Sequence, residues 1–299
     1  MTILPRASAV ALLSILCLVG VFTDLAQTKT QEDEPETKAQ AALTFAIVPQ
    51  QSASRLAREW GPLIAALSEE TGLPMRFVTT KDIPTFEACL DNGVFDIAYM
   101  NPYHYVVFSE AGKYSAIAHQ ADKRLKGLMV VRAESDISDI AQLEGGVIAF
   151  PSPGAFGASV LPRAELQQRE IGFEPRYVRS HDSVYRAVAG GFAVAGGGVA
   201  RTLNAAPEEL REQLRVIYTT EGYTPHAIAT RAGLAESDAA RVRDALATLA
   251  EDGSETVFPL GISSFVAAQD AEWDDIRALG LKPEQAGLDQ LDEGACPFD

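Results

Sequence analysis

Apolar positions along the chain switch repeatedly between two periods. Leu43-Thr-Phe-Ala-Ile-Val48, apolar but for Thr44, predicts a strand; Leu56, Trp60, Leu63, Ile64 and Leu67 then recur at helical spacing until Gly72. Met75 to Thr79 reads as strand, Thr85 to Leu90 as a short helix closed by Asp91-Asn92-Gly93, Val94 to Tyr99 as strand. Pro102 opens a helix through Phe108, and Tyr114 to His119 is a fourth strand. Gly127 to Arg132 is a strand that leads into a second series. That series has a strand at Val147–Phe150, a helix over 158–170, a strand at Pro175–Val178 and a helix over 182–189. A short strand at Phe192–Ala195 and a helix or turn through Leu203 follow. Beyond it come a helix from Glu208 to Leu214, a strand from Arg215 to Thr219 and a return strand from Pro225 to Thr230. A helix over 236–250 and a last one from Trp273 to Leu279 complete the pattern. Strands alternating with helices predict an α/β fold.

The stretch Ala149-Phe-Pro-Ser-Pro-Gly-Ala-Phe-Gly-Ala-Ser-Val-Leu-Pro162 stands out. A buried strand gives way to a turn rich in proline and glycine, and the turn feeds a helix. Such a turn aims free N–H groups at one point, at the positive end of a helix dipole, which is how backbone binds anions. The same pattern also describes a plain strand-to-helix connection. In open α/β sheets ligands collect outside the carboxyl ends of strands. Those ends are Pro49–Ser54, Tyr99–Tyr105, Pro151–Ala158, Ser180–His181 and Ala195–Arg201, two in the first series and three in the second. Two lobes facing each other across a cleft would bring them together.

The 299 residues carry a formal net charge of −16, with hydrophobic residues at 47%. That balance argues against nucleic acid and anionic membrane surfaces as partners. It leaves room for a small anion, because contact-range N–H groups act where distant charges are screened over about 8–10 Å. Arg6 followed by an apolar run from Ala7 to Phe22 predicts a signal peptide, with Ala26 a candidate last residue, or an uncleaved N-terminal anchor (1–26). Residues 27–42 read as a flexible linker. Cys89 and Cys296 are able to bridge in an oxidising compartment, but Cys89 lies in a helical pattern and reads more readily as a small core residue. The four histidines lack ligand spacing, so neither metal nor cofactor is expected. No G-x-S-x-G elbow is present, and no enzyme is expected.

Several segments together resemble the periplasmic solute-binding proteins of phosphate, phosphite and phosphonate ABC transporters, from about Leu43 to Leu281. Phe45-Ala-Ile-Val-Pro49 with Trp60-Gly-Pro-Leu63 is similar to that family's opening strand and helix. Gly93-Val-Phe-Asp-Ile-Ala-Tyr99 resembles its G-x-x-D-hydrophobic-A-aromatic strand. Leu143-Glu-Gly-Gly146 resembles the start of its second lobe, and Ser180-His181 with Val184 and Ala187-Val-Ala-Gly190 a motif whose histidine faces the ligand. Phe265 to Leu279 resembles its closing helix. The resemblance implies a type II periplasmic binding protein fold, each lobe a mixed sheet flanked by helices. Lobe 1 would be 43–126 plus 224–281, lobe 2 127–223, and 282–299 an acidic tail.

Two departures bear on the ligand. The family's anion loop usually reads D-P-x-S-T-S-G; here it is Ser152-Pro-Gly-Ala-Phe-Gly-Ala158, so the hydroxyl donors are gone. An aspartate common after the position of Phe192 is Ala193, which removes a partner for a substrate amine. The expected binding set is Tyr99, Asn101, Tyr105, Gly154, Ala155, Phe156, Gly157, Ala158, His181, Arg201 and His226. Arg201 offers a bidentate fork to an oxyanion. His104 and His119 read as structural or exposed. The expected function is capture of a small oxyanion (phosphate, phosphite or phosphonate-like) in the periplasm for an inner-membrane permease. The alternative is a sensor subunit of the same fold partnering a membrane histidine kinase, for another oxyanion such as an arsenic oxyanion.

Overall fold

The computed structural model describes residues 41–251, 262, 264–289 and 291–298. The expected signal peptide or anchor and nearly all of the linker lie outside them. Among the described residues no helix is long and apolar enough to cross a membrane.

The first series builds a six-stranded mixed sheet. Its strands are β1 (Leu43–Ile47), β2 (Met75–Val78), β3 (Ile97–Met100) and β4 (Tyr114–Gln120), joined later by β10 (Ala227–Arg231) and β11 (Phe265–Ala267), in the order β11-β4-β10-β3-β1-β2. β1 runs parallel to β2 and β3, while β10 and β11 are antiparallel to their neighbours. Helices α1 (Ala53–Thr71), α2 (Ile83–Asp91) and α3 (Pro102–Glu110) make the connections. Asp82 and Asn101 cap α2 and α3 by accepting from the Thr85 and His104 N–H groups, each with proline in the first turn.

The second series builds a five-stranded sheet from β5 (Gly127–Arg132), β6 (Gly146–Phe150), β7 (Phe173–Tyr177), β8 (Ala195–Val199) and β9 (Leu214–Thr219), in the order β7-β6-β8-β5-β9. Its helices are α4 (Leu161–Gln168), α5 (His181–Ala189), α6 (Ala200–Asn204) and α7 (Glu208–Arg211). The chain crosses between the sheets twice, and the two crossings pair through a single bridge, Leu125 with Tyr223. The long helix α8 (Glu236–Glu251) then packs on the first sheet.

Three expectations need correction. The glycine run Gly196–Gly198 is the strand β8 itself, not the break after one; of the expected strand at Phe192–Ala195 only Ala195 is strand, and 192–194 are a bend with Phe192 71% exposed. Close packing dictates the glycines: a Cβ on Gly197 would sit 1.8 Å from the Ala158 carbonyl oxygen, and one on Gly196 2.4 Å from Val184. β3 starts at Ile97 and not Val94, because the Asp96 carboxylate takes the Thr44 N–H (2.8 Å) and replaces the ladder there. Phe265 begins an edge strand, and the closing helix is a tight turn over Asp270–Trp273 followed by α9 (Asp274–Arg277).

Residues 282–289 and 291–298, within the expected acidic tail, pack on the first lobe. α10 (Pro283–Ala286) and Leu288 are seated on the body, Phe298 meets Phe95 edge-on at 5.8 Å, and Cys296 is disulfide-bonded to Cys89. Cys89 is thus a core residue and a bridging one. The same segment reaches the second sheet, since Arg163 donates to the Gln285 carbonyl at 2.8 Å.

Candidate functional site

The turn after β6 is the first element of the site. Pro151 and Pro153 end the strand, and a single π-turn, Phe156–Val160, leads into α4. Ser159 and Val160 donate back to the Ala155 carbonyl (2.7 and 3.2 Å), while the N–H groups that open such a stretch have no acceptor within it. Ala155, Phe156, Gly157 and Ala158 line a small enclosed cavity between the lobes, together with Asn101, His181, His226 and Gln50. Its volume is about 10 Å³, on the order of one water.

Asn101 reaches into this cavity from the first lobe. Besides capping α3, its Nδ2 donates to the Gly154 carbonyl across the cleft at 2.9 Å. Gly154 itself is held by packing, because a Cβ there would lie 2.1 Å from Glu87 Oε1. Glu87 is buried against His104 at 2.8 Å, and burial pushes its carboxyl above the usual range.

His181 opens α5 behind its Ser180 cap and is fully buried. Its N–H donates to the Gln50 carbonyl of the first lobe at 3.2 Å. Its Nδ1 lies 3.0 Å from the Thr202 hydroxyl, which is 2.7 Å from the Tyr185 hydroxyl. Burial, reinforced by the Arg201 charge, lowers its pKa to about 3, so the ring is neutral. The Thr202 hydroxyl has one proton and two acceptors in reach, Nδ1 and the Val199 carbonyl at 3.1 Å: donated to Nδ1 it leaves the ring hydrogen on Nε2, donated to Val199 it leaves the ring hydrogen on Nδ1.

A second set of contacts runs from Arg201 through Gln50 to His226. Arg201 Nη2 donates to Gln50 Oε1 at 3.2 Å, and Gln50 Nε2 lies 3.0 Å from His226 Nε2. The arginine fixes the amide orientation, so Gln50 donates and His226 Nε2 accepts as a neutral ring. Burial and the Arg201 charge hold the His226 pKa well below the ordinary value. His226 is stacked on Tyr99 at 4.8 Å, and Tyr99 lies 4.4 Å from Trp60. This aromatic column carries the core of the first lobe to the cleft.

The structure thus gathers Asn101, Ala155, Phe156, Gly157, Ala158, His181 and His226 around one cavity. Tyr99 and Arg201 border the larger opening beside it, and Gly154 sits just behind the turn. Tyr105 does not belong there. Its hydroxyl donates to Asp270 at 2.7 Å and its ring packs on Trp273, facing away from the cleft. Tyr103, two residues earlier and on the opposite side of α3, lies 6.5 Å from Phe156. His104 and His119 are structural, bonded to Glu87 and Glu272. Gln50 was not legible as a site residue, nor were Arg55 and Glu59 one turn apart on α1. The only hint of Gln50 was its place at a strand end.

The family model described as "ABC transporter, phosphonate, periplasmic substrate-binding protein" matches residues 45–273. The chain belongs to that family. A curated relative, the phosphate-import protein PhnD of Mycolicibacterium smegmatis, is 27% identical over 208 residues, covering 64% of this chain and 63% of the relative's own length. PhnD1 from Prochlorococcus marinus, solved in complex with methylphosphonate, superposes with a TM-score of 0.73 at 16% identity over 82% of this chain and 98% of that one. The binding-protein component of an ABC phosphonate transporter from Pseudomonas aeruginosa gives the same TM-score at 17% identity, over 86% and 96%. At these identities the superpositions establish the fold: two lobes of the type II periplasmic binding protein class.

Proposed function

We propose that the chain is a periplasmic substrate-binding protein that captures a small phosphorus oxyanion, phosphate, phosphite or a phosphonate, and hands it to an ABC permease. Residues 43–126 with 224–281 form one lobe and 127–223 the other, a division that sheet membership supports. The carrying observation is the convergence of the 155–158 turn, His181 and the Arg201–Gln50–His226 chain of contacts at one interlobe cavity. Backbone N–H groups and, with its hydrogen on Nε2, the neutral His181 ring supply donors, and Arg201 supplies the charge. Hydrogen bonds to a charged partner are worth about 1.5–3 kcal/mol each, so a few replace the missing hydroxyls.

The cavity is too small for a tetrahedral anion while the lobes touch. Among the described residues, the polar contacts across the cleft come from Asn101, Arg163, the His181 N–H and Arg201, which meets both Gln50 and Glu59. Parting the lobes about the Leu125–Tyr223 crossing admits the anion, and the lobes then close on the anion itself, whose bonds take the place of direct contacts across the cleft. The groups are arranged to bind and not to transform: among the described residues that line the cavity there is no serine, threonine or cysteine, and the hydroxyl beside His181, that of Thr202, is fully buried and outside the lining. The family assignment favours this reading over a sensor subunit.

Thermal unfolding with millimolar phosphate, phosphite, methylphosphonate, sulfate and arsenate tests the reading. A ligand at one hundred times its Kd adds about 2.7 kcal/mol. A shift with at least one phosphorus oxyanion is expected. No shift with any of the three, or a shift with arsenate alone, overturns it.

A further inference from the structure

Beside the small cavity the cleft opens into a larger one of about 620 Å³, and the two share Gln50, Val199 and His226 in their walls. A bare oxyanion or an alkylphosphonate fills only a small part of such a volume. Its lining is charged in a way the rest of the chain is not. Arg55, Lys123, Arg124, Lys126 and Arg201 border it, and Glu59 is its one acidic residue. This concentration of positive charge sits in a chain whose formal net charge is −16.

The pairing within the lining leaves cationic capacity. Glu59 bonds Arg55 at 2.8 Å through one oxygen and lies 3.9 Å from Arg201 through the other, and the Asp182 carboxylate, outside the lining, also interacts with Arg55, so the unmatched charge of the lining falls to its lysines. Arg124 is held by Asp275 from outside the cavity at 2.6 Å and remains half exposed. Lys123 and Lys126 are exposed at the rim. Arg201 is central to the arrangement, because it touches Gln50 at the shared wall and also faces the open volume. A group extending from an anion at the 155–158 turn would meet positive charge at once.

We infer that the larger cavity is a second anion subsite, and that the preferred ligand is an organic phosphonate bearing a second acidic group, such as a carboxylate. This rests on the oxyanion reading of the small cavity. The first acidic group takes the turn and His181, and the second takes the fork of Arg201 with Arg55 and the rim lysines. An amine in place of the second acid is disfavoured by the same charges. Diffuse steering by a cationic cleft would act differently, since it raises the association of every anion alike and fades with salt. A true subsite discriminates between ligands that share one phosphonate and differ at the other end.

Calorimetry at 150 mM salt with methylphosphonate, 2-aminoethylphosphonate and phosphonoacetate, on the parent and on Arg55→Gln and Lys123→Gln/Lys126→Gln, separates these cases. Phosphonoacetate is expected to bind at least tenfold more tightly than methylphosphonate, with 2-aminoethylphosphonate the weakest. That preference is expected to fall at least fivefold in each variant. Equal affinities, a preference for the amine, or a preference that survives in both variants overturns the subsite while leaving the oxyanion site standing. Loss of affinity for all three compounds in equal proportion identifies steering and likewise overturns it. Binding of none of the three, or of inorganic phosphate and phosphite, removes the oxyanion reading and the subsite with it.

Discussion

Arg201 of the second lobe donates to the side chain of Gln50 of the first at 3.2 Å, and that contact orders everything behind it. It orients the amide, the amide selects the acceptor face of His226, and His226 is buttressed by Tyr99. A leucine at position 50 would leave Arg201 and His226 without these partners. Gln50→Leu is expected to weaken binding of the best-bound phosphorus oxyanion at least tenfold, about 1.4 kcal/mol, by calorimetry. Unchanged affinity would show that closure does not depend on this contact.

Gly197 backs the turn. Because a Cβ there meets the backbone oxygen of Ala158 at 1.8 Å, no side-chain rotation relieves the clash. Gly197→Ala is expected to cost about 1–3 kcal/mol of stability in urea unfolding and to reduce anion binding by displacing residues 155–158. Gly61→Ala, inside α1 where open space surrounds the added carbon, is the control: it is expected to leave anion binding at the parent value and to raise stability by up to about 1 kcal/mol.

The buried neutral histidines make stability depend on pH. His181 has a folded pKa of about 3 against an unfolded value near 6.5. Its contribution is therefore complete above about pH 6.5 and is lost as the pH falls toward 3, by about 1.4 kcal/mol per pH unit. His226 acts in the same direction. Glu87, whose carboxyl is raised by burial, acts in the opposite one, so a comparison with a variant isolates the histidine. Urea unfolding at pH 7 and pH 5 is expected to show a smaller loss for His181→Gln than for the parent. Equal losses would mean that His181 is charged in the fold.

The Cys89–Cys296 bridge spans a sequence separation of 207 residues. A loop of that size places the chain-entropy stabilisation near the upper end of the usual range, about 2–5 kcal/mol. Cys89→Ala/Cys296→Ala is expected to lose that much under oxidising conditions, while under reducing conditions parent and variant converge. Arg163→Ala, which removes the bond to the Gln285 carbonyl together with those to the Pro153 carbonyl and the Ser159 hydroxyl, is expected to lose less than half as much.

The alternation of strands and helices was legible because apolar side chains recur at two distinct periods, and most elements fall within a few residues of their expected places. β8 was hidden because three consecutive glycines carry no periodicity; what makes them strand is the turn, α5 and Tyr185 pressed against them. The 155–158 turn, Asn101, His181 and His226 were found as strand-end residues. Tyr105 failed the same test because positions 103 and 105 fall on opposite sides of α3, and only Trp273 and Asp270, more than 160 residues on, decide which side is the cleft. Gln50 was missed for a related reason: a polar residue after a strand looks solvated until a partner 151 residues away buries it. The packing of 282–298 has little apolar signal of its own, since much of its anchorage is covalent.

That anchorage also has a topological consequence. The link between Cys89 and Cys296 turns most of the polypeptide into a ring, and the ring contains the whole second sheet and both passages between the lobes. A single cut anywhere in the second lobe therefore leaves two fragments that are still covalently joined, and they come apart on a denaturing gel only after reduction.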